Sequence, residues 1–97
     1  MSITSHDEGT HWTVRLSGRF DFSCRDDFRS AYAASSTGSN FVIDMSAVEY
    51  VDSAALGMLL LLRDHAGDAS RVTIRGSRGQ PEQVLRIANF HKLFRLD

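Results

Sequence analysis

One cysteine, one proline and no apolar run longer than nine residues mark what this 97-residue sequence does without. With Cys24 alone no internal disulfide can form, and a reducing compartment is the simplest setting. The longest apolar stretch, Ala54 to Leu62, is nine residues, against the roughly 20 that a membrane-spanning helix needs. The opening Met-Ser-Ile-Thr-Ser-His-Asp-Glu has neither the basic start nor the apolar centre of a secretory leader. A cytoplasmic protein without direct membrane contact is therefore expected. An excess of one charge is also missing: the formal net charge is −1, so no global field draws the chain to nucleic acid. Residues 1–52 carry eight acids and four bases, residues 53–97 four acids and seven bases, which hints at two faces of different sign.

Several chemistries lack their residues. His6, His11, His65 and His91 are scattered without metal-ligand spacing, and a lone cysteine adds nothing to them. No G-x-S-x-G elbow marks a hydrolase serine, and Gly76-Ser77-Arg78-Gly79 fits neither the P-loop nor the dinucleotide fingerprint. That loop reads best as a solvated turn, with a small nucleotide-binding module as the alternative. Trp12 and the phenylalanines lack the basic stripe of a base-stacking surface and read as core. No cofactor, metal or catalytic residue is expected.

What is present fits one domain over residues 1–97, with 42% hydrophobic and 24% charged residues. Residues 3–6 suggest a short edge strand. Trp12 to Ser17 alternates apolar and polar residues as a half-buried strand does, and Gly18 breaks the pattern. Phe22, Phe28, Tyr32 and Ala33 recur at the spacing of an amphipathic helix from about Ser23 to Ala34, with Ser23 as its N-cap. After a loop at Ser35 to Asn40, Phe41 to Met45 reads as a strand and Val48 to Val51 as a brief connection. A helix runs from Asp52-Ser53 to Ala66, with Gly67 at its C′ position. Arg71 to Arg75 is a further strand, and Pro81 sits in the first turn of a helix carrying Val84, Leu85 and Ala88. Leu93 to Leu96 suits a last short strand or a helical turn equally. The order β-β-α-β-α-β-α predicts an α/β domain with a mixed four- to five-stranded sheet. Right-handed crossovers place its helices mainly on one face.

The most informative stretch is Phe41 to Leu60. A buried strand ends in Asp44, a short loop follows, and a hydroxyl stands at the mouth of a helix. Asp52 or Ser53 can cap the free N–H groups there, and a capped helix is the plain reading of those two residues. The helix is unusual, because Ala54, Ala55, Leu56, Met58 and Leu59 to Leu62 surround it with apolar side chains. One side must meet the sheet, and the other is covered by a neighbouring helix or by a partner. Gly57 lowers helix propensity by about 1 kcal/mol relative to Ala, which suggests close approach of another backbone. The apolar helix permits a monomer or a weak dimer. Ser46 reads as a turn serine bonded to nearby backbone rather than as a second phosphoacceptor.

Asp44-Met45-Ser46 followed by Val51-Asp52-Ser53-Ala54-Ala55-Leu56-Gly57-Met58-Leu59 resembles the STAS-domain family, specifically its bacterial anti-sigma factor antagonists. Gly18-Arg19-Phe20-Asp21 is similar to the family's turn before its first helix. Ala55 departs from the pattern by standing where the family usually has glycine. The resemblance implies partner switching, with Ser53 as the phosphoacceptor. The unmodified form would capture an anti-sigma factor that is a serine kinase with a histidine-kinase-like ATP fold. Phosphorylation would end binding, and a PP2C-type phosphatase would restore it. Asp21, Asp44, Ser46, Asp52, Ser53, Ala54, Leu56 and Gly57 would form the docking surface. A second implication keeps the fold but makes the chain a constitutive subunit of a lipid or solute transport ATPase complex, with Ser53 only a cap.

Overall fold

A computed structural model describes residues 2–35, 39–68 and 71–97. Strand β1 (Ser2–Asp7) runs antiparallel to β2 (Trp12–Phe20), and the connection turns at Gly9, whose φ is +89°. A 3-10 turn (Phe22–Cys24) leads into α1 (Arg25–Ala33). Next come β3 (Phe41–Val51), α2 (Ser53–Ala66), β4 (Val72–Arg75) and α3 (Gly79–Ile87). A further 3-10 turn (Phe90–Lys92) precedes β5 (Arg95–Leu96), so of the two readings of Leu93 to Leu96 the strand holds, with the helical turn just before it.

The five strands lie in the order β1-β2-β3-β4-β5, with every pair after the first parallel. This is the mixed sheet expected from the element order. Because the order never reverses, right-handed crossovers bring α1, α2 and α3 to the same face. Alternation along the strands agrees. Val14, Leu16, Ile43, Met45, Val72 and Ile74 are fully buried, while their neighbours Arg15 and Arg75 are exposed. Phe20, Phe28, Phe41, Leu59, Leu62 and Leu85 complete the core under the helices.

Four expectations need correction. Gly18 does not end its strand: β2 continues to Phe20, and Gly18 at φ +81° sits where the β2–β3 register shifts. A glycine in the left-handed region is the usual residue of such a bulge. Likewise β3 does not stop at Met45. It runs to Val51 as a single strand, and register shifts against β2 hide the alternation in the sequence. Ser23 is not the N-cap of the first helical segment; Asp21 is, its carboxylate accepting from Ser23 N. Finally, Phe22 lies in the 3-10 turn with 62% of its surface exposed, not on the buried stripe of α1.

Candidate functional site

The C-terminal half of β3 directs the chain to the mouth of α2. Between Ser46 and Val51 it pairs with β2 but not with β4, whose pairing is confined to Phe41–Asp44. The other edge is completed by a side chain. The Gln80 amide accepts from Val51 N at 3.0 Å and donates to Val51 O at 2.9 Å, as a neighbouring strand would. Asp52 follows in extended geometry, and its Oδ1 accepts from Ala55 N at 2.9 Å. Its Oδ2 accepts from Phe22 N at 3.3 Å. One carboxylate thus caps α2 and ties down the turn after β2.

With the cap supplied by Asp52, Ser53 is released from that duty. It occupies the first helical position, is exposed, and its hydroxyl makes no hydrogen bond to a described residue. The N–H groups of Ser53 and Ala54 have no partner within the helix, as is general for a first turn. Ala54 and Leu56 are half-buried beside it. Ser53, Gly57 and Leu61 recur at four-residue spacing as an exposed stripe of α2, while Ala55, Met58, Leu59 and Leu62 face the core. A Cβ on Gly57 would meet nothing within 4 Å. The glycine therefore answers no close approach within the chain.

Asp21 joins this end of the molecule. Its Oδ1 accepts the N–H of Ser23 at 3.0 Å together with the Ser23 hydroxyl, and Oδ2 lies 3.7 Å from Arg19 Nε. Hydrogen bonds from Ser23, then the Arg19 charge, hold its carboxyl below the ordinary value. Beneath it, burial pushes the Cys24 thiol up, and the charges of Asp21 and Asp52 push in the same direction. Asp21, Asp52 and Ser53 are therefore brought together with Ala54, Leu56 and Gly57.

Asp44 and Ser46 are not. Asp44 is opposite Arg15 on β2 while Val51 is opposite Phe20, a separation of five residues, or about 17 Å along the sheet. Asp44 lies on the face away from the helices. Its Oδ1 accepts from Ser46 N (3.0 Å) and Ser46 Oγ (2.7 Å), and its Oδ2 faces Arg15 Nε (3.3 Å) and Arg75 (3.8 Å). Burial raises this carboxyl, but the Ser46 bonds and the two guanidinium groups outweigh it and leave the pKa below the ordinary value. Gly76 packs on Ser46, where an added Cβ would come within 2.9 Å of Ser46 Cβ, and adopts φ +78°. The first glycine of the Gly76–Gly79 loop thus has a packing reason.

Phe22 is the surface residue that sequence reasoning missed here. It stands exposed beside Asp52, with the Arg25 guanidinium 5.3 Å from its ring centroid. Its spacing to Phe28 suggested a buried helical face, and only the 3-10 geometry turns it outward. Gln80 was missed too, since nothing in a sequence signals an amide substituting for a strand. Among the described residues no three His, Cys, Asp or Glu lie together as metal ligands, and no helix is long and apolar enough to cross a membrane.

The profile of the family described as "Mlab, STAS domain" matches residues 3–96. A STAS-domain containing protein of Pseudomonas aeruginosa (strain UCBPP-PA14) is 41% identical over 100 residues, spanning 99% of each chain. An anti-sigma factor antagonist from Mycobacterium paratuberculosis has a similar structure, with a TM-score of 0.81 at 20% identity over 98% of this chain and 83% of that one. The anti-sigma factor antagonist SpoIIAA in its unphosphorylated form gives 0.74 at 14% identity, covering 99% and 87%. A sulfate transporter family protein from Wolinella succinogenes gives 0.71 at 15% identity, covering 87% and 73%. At these identities the structural likenesses carry the fold.

Proposed function

The chain belongs to the STAS-domain family, and on that premise we propose that it is an anti-sigma factor antagonist switched by phosphorylation of Ser53. The observation that carries this reading is the exposed Ser53 hydroxyl, left without a hydrogen bond to any described residue because Asp52 does the capping. A kinase would transfer the γ-phosphoryl group of ATP to Ser53 Oγ. The hydroxyl proton passes to a base of that kinase, and ADP leaves. A PP2C-type phosphatase would reverse the change by hydrolysis, returning the hydroxyl and inorganic phosphate. The chain itself is the substrate in both steps and not an enzyme.

The physics of the site supports an interface switch over a refolding switch. Phosphate adds about −1.5 to −2 charges and three acceptor oxygens. At the first turn of α2 it meets two free N–H groups and the positive end of the helix dipole, so the fold tolerates it. It also deepens the negative charge already held by Asp21 and Asp52. A partner that fits the unmodified surface around Ser53, Gly57 and Phe22 then meets repulsion and an unpaired dianion. The partner is an anti-sigma factor and serine kinase with a histidine-kinase-like ATP fold, engaged in the cytoplasm. Pull-down from native extract with Ser53→Ala and Ser53→Asp baits tests this. The alanine form retains the kinase and the aspartate form releases it; equal retention by both refutes the switch.

A second reading has the same surface hold the ATPase of a transport complex constitutively, favoured by the family profile and the sulfate transporter likeness. Mass spectrometry after incubation with native extract and ATP separates the two: a phosphate on Ser53 supports switching, and an unmodified chain bound to an ATPase supports the alternative.

A further inference from the structure

Away from the mouth of α2, a groove of about 530 Å³ lies between α1 and α2. Its floor is firm: Phe28, Tyr32 and Met58 belong to the buried core. Leu61 forms one lip and leaves 56% of its surface in water, one of only three large apolar side chains so exposed among the described residues. The other lip is cationic, with Arg25 and Arg29 one helical turn apart on α1 and Asp26 as the only acid among the described lining residues.

Two polar groups in this groove are unspent. Arg25 stacks on Phe22 and pairs with the exposed Asp26, but Arg29 has no ion-pair partner among the described residues. The Tyr32 ring is buried, yet its hydroxyl makes no hydrogen bond to a described residue. Among the described residues no buried side-chain oxygen or nitrogen is left without a partner, so that hydroxyl opens to the solvent of the groove. Arg29 and Tyr32, three residues apart on α1, both line the groove. A hydroxyl donor and a guanidinium without an ion-pair partner among the described residues therefore line the α1 side of an apolar trough. Clefts of this size, mostly apolar with a few convergent polar groups, are the usual form of a small-molecule site.

We propose that the α1–α2 groove binds a small amphipathic anion, with a carboxylate or phosphate head between Arg29 and the Tyr32 hydroxyl and an apolar tail along Met58 and Leu61. The cationic lip selects the sign of the head, and the exposed Leu61 gives the tail a surface to cover. Nothing in this proposal depends on Ser53, so it stands or falls apart from the switching function.

The test titrates the intact protein with decanoate, decyl phosphate, decanol and decyltrimethylammonium, all below micelle-forming concentrations. Binding is followed by amide chemical-shift mapping and calorimetry. Both anions are expected to saturate, with shifts centred on Phe28, Tyr32, Met58 and Leu61, and the cation to bind at least tenfold more weakly. Comparing the two anions shows which head the site prefers. Arg29→Glu abolishes anion binding with an unchanged far-UV CD spectrum, and Tyr32→Phe weakens the anions while leaving decanol unaffected. Leu61→Asp, at an exposed position, removes the tail contact without threatening the fold. Equal binding of the cation, anion binding that survives Arg29→Glu, or no saturation overturns the proposal. So does binding of the peptide acetyl-Asp-Leu-Leu-Asp-amide without any response to the anions, since the groove is then a protein-docking surface.

Discussion

Gln80 completes the edge of β3 at Val51 through a single side-chain amide, its oxygen accepting from Val51 N at 3.0 Å and its nitrogen donating to Val51 O at 2.9 Å. The pairing holds the N-terminal turn of α3 against the last strand residue before Asp52 and Ser53. Gln80→Leu leaves both Val51 groups without that partner and is expected to cost about 1–3 kcal/mol. Gln80→Glu should be worse than a single lost bond, because a carboxylate oxygen then faces the Val51 carbonyl. Urea denaturation checks both.

Asp52 and Ser53 are adjacent but should respond in opposite ways to truncation. Asp52→Ala removes the cap on Ala55 N and the tie to Phe22 N, and is expected to cost about 1–2 kcal/mol from the cap alone. Ser53→Ala removes an exposed, unbonded hydroxyl and should stay within about 0.5 kcal/mol. Equal losses in a denaturant melt would mean that Ser53 has a structural role.

Gly57 separates stability from docking. Since a Cβ there meets nothing within 4 Å, Gly57→Ala should stabilise α2 by roughly 0.4–1 kcal/mol. The same methyl group roughens the stripe from Ser53 to Leu61, so capture of the partner should weaken while Tm rises. Calorimetry and pull-down on the same sample measure both signs.

Asp44 sets part of the acid sensitivity. Its folded pKa lies below the ordinary 3.8, so the stability it contributes is complete well above that value and is lost as pH falls through the lower, folded one. Asp44→Asn should therefore lower stability at neutral pH and flatten the decline below about pH 4. Far-UV CD melts at a series of pH values follow the two curves.

Much of this architecture is legible in the residues. The capped, Leu-rich α2 with Gly67 behind it announces its own ends, because cap and C′ chemistry are local. The strand at Trp12 is equally plain, since Val14 and Leu16 are buried while Arg15 between them is exposed. Legibility fails where geometry is set from across the sheet. The run from Ser46 to Val51 loses its alternation at the β2–β3 register shifts, so a continuous strand reads as a loop. Asp44 and Asp52 look alike in a motif, yet strand direction carries one to the Arg15–Arg75 pair and the other to the mouth of α2. Phe22 reads as core by spacing and is turned outward by a three-residue 3-10 segment whose cap, Asp21, gives no sign of that twist.

Cys24 offers a consequence of a different kind. Its thiol lies under the turn that Asp52 fastens, 3% exposed and donating to the Asp21 carbonyl. A thiol reagent can reach it only when that turn lifts. The rate of labelling is thus an internal gauge of how often the turn tied to Asp52 opens, readable without any added probe. It should quicken in Asp52→Ala and leave the rest of the fold as the unlabelled background.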